Sequence, residues 1–524
     1  MMKTAAQVVR GIAPIALALG VVLASQVVMP FTGSAGAAAS SGGVLTVGTD
    51  LLSGTTVGAI EFDPTLFTVS AGNFAYDWPI YAGLLRETTA GTYVPDLASK
   101  VTVPNTSTID VQVRPGLEFS DGTPFTATAA KAGLERNIAT KNKGAFNQTL
   151  FDISSIDVTG TDSLVLNFSQ PVANLFYPHL ADEESFIVSP TAANAGTAES
   201  NPVGAGPFML KSYTPNEKMV LVKNPRYWDA KSIHLSGITF VEVPTGPQQV
   251  NALETGLVNA EYGLPASDIP ALNGQSDIEV KSAFLDGSFS IAPICKSSGP
   301  LANVKVRQAL SYAVNRNAIN SALFYGKGEP AWTLWPSTNA YYDKTLTDYY
   351  AYNPAKAKKL LAEAGYPHGF STSIMPLPEP ITDQIATVLQ AEWKQIGVTL
   401  QIVQTSDYIN DFYVRHLAQI ALNPVAATGL LKITNTYVPG GVGDACDYSN
   451  PTLTGLATEA SQLGPDSPKL KVLWDQMQEI IIKNALSIYI DFSPNVTASS
   501  KAVKNLSVIP YIGSVINYWT VSVS

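Results

Sequence analysis

Four histidines, two cysteines and one run of acids are the side chains of this 524-residue sequence whose types suit nucleophilic, acid–base or metal chemistry. Their spacing does not gather them. His179, His234, His368 and His416 stand far apart, and no H-E-x-x-H, G-x-S-x-G or G-x-x-x-x-G-K-[ST] pattern occurs. Each histidine is expected at the surface or tied up in a structural hydrogen bond. The run Asp182-Glu183-Glu184 offers carboxylates for a cation but reads first as a solvated loop. Gly204-Ala205-Gly206-Pro207 resembles a phosphate loop only on the surface, because the proline removes a donor where an anion would want one. Cys295 and Cys446 are too few for a structural zinc site. In an oxidising compartment they would close one disulfide, worth about 4–5 kcal/mol by chain entropy for a loop of about 150 residues. Two buried thiols are the alternative. A catalytic triad is defined in space rather than in sequence, so missing motifs lower the expectation of an enzyme without removing it. The expectation is no catalytic residue, no metal and no cofactor.

The elements that would position any site alternate along the whole chain. In Thr108–Arg114, Ile109, Val111 and Val113 alternate with polar residues, the period of a half-buried strand, and Leu164, Leu166 and Phe168 repeat it. Val44–Gly48, Met219–Val222, Ile238–Val243 and Val398–Val403 read as further strands. Asn353-Pro354 is a helix start, with Ala357, Leu360, Leu361 and Ala364 on one face and Gly365 as the stop. Asn303 and Asn315 are expected to cap two more helices, and helices are predicted over Gln384–Ile396 and Trp474–Lys483. Strands and helices interleave without a long linker or repeat, so the fold class is α/β with more than one lobe.

Composition narrows the setting. Hydrophobic residues make 46% and charged residues 14% of the chain, and the net charge of -10 argues against a nucleic-acid partner. Lys3 and Arg10 precede an almost wholly apolar stretch from Gly11 to Met29, followed by Ala35-Gly36-Ala37 and Ala37-Ala38-Ala39. That is the layout of a secretory signal peptide, with an uncleaved anchor as the alternative. No cysteine follows the apolar stretch, so a lipoprotein anchor is not expected, and the mature chain is expected outside the cytoplasmic membrane.

Seven blocks, in order, resemble the family 5 extracellular solute-binding proteins of ABC importers, the peptide and nickel class. They are Tyr81-Ala82-Gly83-Leu84-Leu85, Arg114 to Thr126 with Ser120-Asp121-Gly122-Thr123-Pro124 at its centre, Pro202 to Phe208, Lys223 to Trp228, Val306 to Ala313, Lys359 to Tyr366, and Tyr448-Ser449-Asn450-Pro451. Each has a scaffold role: Asp121 to Pro124 is a turn, Val306–Ala313 an amphipathic helix, Tyr227 and Trp228 apolar anchors with polar tips. The resemblance implies a two-lobed periplasmic-binding-protein (Venus-flytrap) fold, a three-domain cluster with a discontinuous first lobe. It divides the chain into a signal peptide (1–39), a first-lobe core (44–75, 200–275 and 492–524), a first-lobe accessory domain (76–199) and a second lobe (276–491). It implies a noncatalytic monomer that closes on a peptide or peptide-like solute and presents it to the permease subunits. An oligosaccharide, chelated metal or other metabolite is the alternative solute, and an exported hydrolase the more distant reading.

Peptide binders of this family often carry a W-x-x-D-like block whose aspartate meets the ligand ammonium. The matching stretch here, Leu422-Asn423-Pro424-Val425-Ala426-Ala427, has neither residue. Asp77, Asp286 or Asp444 is expected to serve instead, or the ligand lacks an ammonium. The expected ligand-binding residues are Phe74, Tyr76, Asp77 and Trp78 ahead of the first block, Trp332 and Trp335 in a Pro- and Gly-rich loop, and Asn423.

Overall fold

Residues 42–50, 52, 60–66, 70–89, 91–139, 152–339, 341–425, 429–441, 444, 448–464, 467–509 and 515–524 are described by a computed structural model. The expected signal segment and Cys446 lie outside the described residues, as do the side chains of 70–73, 262, 283, 285–290, 424–425, 429 and 431.

The alternating segments pair as their periodicity demands. Thr108–Val113 buries Ile109, Val111 and Val113 and exposes Asp110 and Gln112. It lies between Ala98–Asn105 and Ser163–Phe168 in a four-stranded antiparallel sheet closed by Ile153–Gly160. Eleven of the other strands build one sheet, and three short pairs, Leu85–Glu87 with Tyr93–Pro95, Val503–Lys504 with Ser522–Val523, and Val508–Ile509 with Val515–Ile516, stand apart. The order of the large sheet is Thr399–Ile402, Ser371–Pro376, Ile420–Val425, Ile278–Pro293, Ser487–Ser500, Ala260–Leu264, Val44–Thr49, Gly237–Glu242, Lys218–Lys223, Phe208–Thr214, with Glu329–Pro330 paired to Ser487–Ser500. Each end of this sheet contains a parallel set. Val44–Thr49 runs parallel to Gly237–Glu242 and Ala260–Leu264, and Ser371–Pro376 runs parallel to Thr399–Ile402 and Ile420–Val425.

Two long antiparallel strands, Ile278–Pro293 and Ser487–Ser500, carry the chain from one set to the other. Their register breaks midway: Phe284 faces Pro494 and Phe289 faces Phe492, so four residues oppose Ser493 alone. A bulge of that size, beside a proline that cannot donate, bends the pair and interrupts the ladder where the lobes meet. The first lobe has its main core around Leu45, Val47, Phe240 and the inward residues of the four-stranded sheet, which all join one cluster. The second-lobe sheet is packed on both faces, by Leu310, Ile374, Leu389 and Trp393 on one side and by Ile291, Trp335, Leu473 and Trp474 on the other. Helices on both faces are what a parallel set requires.

The helix starts read from the sequence are present. Asn303, Asn315 and Asn353 each accept a backbone N–H in the first turn of the helix they precede. The Asn353 carboxamide takes the Lys356 N–H at 2.9 Å. Asn353→Ala is expected to cost about 1 kcal/mol, read as a lower urea midpoint with an unchanged slope; an unchanged midpoint would remove the cap from the stability of this helix. Two helices begin earlier than their apolar faces suggest, at Pro380 and Pro468, because a proline at the first helical position starts each. The segment holding Phe74 to Trp78 is itself a helix, Ser70–Tyr81, with Pro79 near its end.

The acidic run departs from its expected solvated state. Asp182, Glu183 and Glu184 are 3%, 6% and 3% exposed. Two short 3-10 turns, Tyr177–Ala181 and Glu183–Ser185, fold the run back onto the lobe, and the Asp182 carboxylate accepts the Glu184 N–H that opens the second. His179 is not a free surface residue either: its Nδ1 lies 2.9 Å from Asp182 Oδ2.

Candidate functional site

Several blocks that carry the resemblance are structural in detail. Asp96 is buried, and its Oδ1 accepts both the Tyr227 hydroxyl at 2.6 Å and the Trp228 indole N–H at 2.8 Å. Trp519 in turn donates to the Tyr227 hydroxyl, and the Arg114 guanidinium lies 3.6 Å over the Trp228 ring. Burial drives the Asp96 carboxyl upward while these donors and Arg86 pull it back. Arg307 spends its guanidinium on the carbonyls of Leu301, Ala302, Asn484 and Ala485. At the Asp121 turn, Gly122 holds φ +87° and Asp121 accepts the Thr123 N–H at 2.8 Å. These are scaffold contacts; Asp96 Oδ2 has no hydrogen-bond partner and lies 3.9 Å from Arg86 Nε.

Open α/β sheets bind ligands outside the carboxyl ends of their parallel strands. In the first lobe those ends are Thr49, Glu242 and Leu264, with Glu261, the second residue of its strand, level with Gly48. The hydroxyls of Thr49 and Tyr76 meet at 3.1 Å, so Tyr76 reaches the end of the first strand from its helix. Glu261 is fully buried beside Gly48, where a Cβ would collide with its carboxylate. Gln249 donates to it at 3.1 Å, and burial pushes its carboxyl up to about 8. In the second lobe Asn423 follows the last parallel pair, Pro376 and Leu422; it is half-buried, with an Oδ1 that has no hydrogen-bond partner.

The crossover strands add a residue that sequence reasoning missed. Asp491 lies opposite Ser290 on one side and Pro330 on the other, and Ser290 is also opposite Pro424, the neighbour of Asn423. Pro330 has no N–H to give. Asp491 is fully buried and neither carboxylate oxygen has a hydrogen-bond partner. Burial, with Glu329 nearby, pushes its carboxyl up to about 9. The sequence signal was present: an aspartate inside the apolar run Ser487–Phe492 interrupts a buried strand for no packing reason. Ser487 and Tyr489, four and two residues before Asp491 on the same strand, meet the Tyr437 hydroxyl from the helix Gly429–Tyr437.

The residues expected from sequence fall into separate places. Phe74 and Trp78 are core residues of the first lobe, Phe74 stacked on Trp78 at 5.4 Å and Trp78 tilted against Trp519 at 4.3 Å. Asp77 is fully enclosed with both oxygens unpartnered. Burial, then Glu199, Glu183 and Glu61, hold its carboxyl well above the usual range. Trp335 is packed edge-on against Trp474 at 5.0 Å, whereas Trp332 is partly exposed with the Arg316 guanidinium 4.9 Å from its ring. Asp444 accepts the Tyr448 N–H, and the side chain of Asp286 lies outside the described residues. Tyr76 is fully buried in the same core as Phe74 and Trp78, with only its hydroxyl reaching the end of the first strand; Trp335 lies in the second-lobe core, and Asn423 lies inside the strand Ile420–Val425. Cys295 is disulfide-bonded. A cavity of about 260 Å³ opens between Phe62, Glu199, Leu210 and Tyr213.

Asn174 Nδ2, in the short helix Ala173–Phe176, donates to the Ser461 carbonyl at the end of the helix Pro451–Ser461, 287 residues on in the sequence.

A sheet shared by two lobes through a paired crossover, with polar groups at facing strand ends, defines a two-lobed binding protein. Residues 92–430 match the family described as bacterial extracellular solute-binding proteins, family 5 middle. The glutathione-binding protein GsiB of Shigella flexneri is 26% identical over 426 residues, spanning 78% of this chain and 81% of that protein. HbpA2 of Haemophilus parasuis has the same fold, with a TM-score of 0.79 at 20% identity over 92% of this chain and 99% of that one. So does DppA of Helicobacter pylori, solved in complex with the peptide STSA, with a TM-score of 0.72 at 22% identity over 92% and 98%. The chain belongs to the family 5 extracellular solute-binding proteins, the capture component of ABC importers. Among the described residues no helix is long and apolar enough to cross a membrane.

Proposed function

We propose that this chain captures a short peptide or peptide-like solute between its lobes and delivers it, unaltered and as a monomer, to the permease subunits of its importer. The observation that carries this reading is the buried, unpartnered carboxyl of Asp491 at the crossover, on the strand that pairs, through Ser290, with the strand opposite Pro424. A carboxyl with no donor in the empty protein is poised for a donor that arrives with the solute, and a peptide ammonium supplies one. Asp491 then takes the part that the absent W-x-x-D aspartate plays elsewhere. Asn423 offers its carboxamide to the peptide backbone, and Trp332, partly exposed, lines the approach. Asp491 is enclosed in this state, so the solute enters when the lobes open about the bulge at Phe284–Phe289. Relatives named for glutathione, a peptide-like solute with a free ammonium, favour the same class.

The test is native mass spectrometry of protein purified without denaturation, with thermal shifts against di- to pentapeptides and reduced glutathione. A bound peptide or a rise of several degrees supports the reading. No copurified solute and no shift across the series opposes it.

The lobe boundaries given from the sequence and the removal of 1–39 on export belong to the same proposal. Mass spectrometry of the exported chain should find a start after Ala37 or Ala39. Cys295 is proposed to pair with Cys446, the other cysteine of the chain. Cys295→Ser should destabilise the protein by about 2–5 kcal/mol; equal melting temperatures with and without reductant would refute the bond's contribution.

A further inference from the structure

We propose that His179, Asp182 and Glu184 form a divalent transition-metal site, suited to Zn²⁺, in the first lobe. Among the described residues they are the one group of three such ligands whose donor atoms all lie within 4.8 Å of one another. Asp182 Oδ2 is 2.9 Å and Glu184 Oε2 3.6 Å from His179 Nδ1. Two ligands held about 2.0–2.1 Å from a tetrahedral zinc ion lie about 3.3 Å apart, so these spacings bracket what a shared ion would impose.

The second observation is Glu184 itself. Its side chain is 1% exposed, and its Oε2 is aimed at the imidazole yet has no hydrogen-bond partner. A buried carboxylate oxygen without a donor is costly, and a cation shared with Asp182 and His179 would satisfy it. The frame is fixed by the backbone. Pro178 lies in the first 3-10 turn, Asp182 accepts the Glu184 N–H with its other oxygen, and the Ser185 hydroxyl bonds the carbonyls of Leu180 and Asp182. The pattern H-x-x-D-x-E therefore delivers three donors from two consecutive turns. His179 is partly exposed, which gives an ion a route in and leaves room for a water as fourth ligand. The site is separate from the crossover. It lies a few residues beyond Asn174, whose side chain bonds the Ser461 carbonyl, so an ion would stiffen the segment that carries that contact.

The test uses the mature protein with any affinity tag removed and dialysed against chelator. Zinc titration by calorimetry should show one site, Co²⁺ should give the visible absorption of a tetrahedral complex, and zinc should raise the melting temperature. Glu184→Gln, nearly isosteric, and His179→Gln should each weaken zinc binding at least 100-fold while circular dichroism stays unchanged. Wild-type protein that binds no zinc, or either folded variant binding it as tightly as wild type, would overturn the assignment. Should one variant fail to fold, the wild-type titration and the other variant still decide it.

Discussion

Asp491→Asn should make the empty protein more stable and its loaded state weaker. Both effects follow from one carboxyl. In the folded empty protein its pKa is raised from 3.8 to about 9 by burial. A carboxyl raised on folding contributes most below its unfolded pKa, and that contribution is lost as pH climbs to the folded value. The window is therefore about pH 4 to 9, and across it wild-type stability should fall with rising pH. Asparagine has nothing to ionise, so the variant should be ahead by on the order of 2 kcal/mol at pH 8, with the gap closing towards pH 4. Binding should move the other way. A peptide ammonium that loses a charged, desolvated partner costs about 2–5 kcal/mol, thirty-fold or more in Kd. Calorimetry in buffers of different ionisation enthalpy should also show about one proton released per peptide bound at pH 7 by wild type and none by the variant. A variant that loses stability at pH 8 and keeps its affinity would make Asp491 an ordinary structural residue.

Arg316→Met should be the more damaging change to the fold. Arg316 is 3% exposed, and among the described residues no carboxylate lies in salt-bridge contact with it. Its guanidinium instead donates to the carbonyls of Ala331 at 3.0 Å, Tyr489 at 2.7 Å, Ser311 at 3.2 Å and Tyr350 at 3.2 Å. Burial lowers its pKa to about 10, so it stays charged at neutral pH. Methionine fills much of the volume and leaves four buried carbonyls without that donor, each worth about 1–3 kcal/mol before water or relaxation offsets part. A net loss of about 3–5 kcal/mol is expected, read from urea unfolding. Because Tyr489 is two residues from Asp491, the variant should also weaken peptide binding. Arg316→Lys should recover little, since one ammonium cannot fan to four acceptors. A loss below about 1 kcal/mol in the methionine variant would contradict this role.

Local rules carried far in the sequence. Asparagine caps, strand alternation and the Asp121 turn lie where residue types put them, because each depends on neighbours a few positions away. The family blocks identified the scaffold, and Tyr227, Trp228 and Arg307 then proved to be bound into it. The site was less legible because its chemistry depends on burial and on pairs distant in sequence. Asp491 shows in the sequence as an acid inside an apolar run, but its lack of a partner emerges only with Pro330 beside it, withholding an N–H. Asp182 to Glu184 look solvated until two short turns tuck them under His179. Trp335 reads like an exposed loop ring, yet Trp474, well over a hundred positions on, covers it.

The most direct measurement compares one short peptide with its N-acetylated form by calorimetry on the mature protein. The proposed Asp491 contact predicts binding of the free peptide with a Kd at least thirty-fold lower than that of the acetylated one, and loss of that difference in Asp491→Asn. Equal affinity for both forms in wild type, or no affinity for any free peptide in the series, would contradict it.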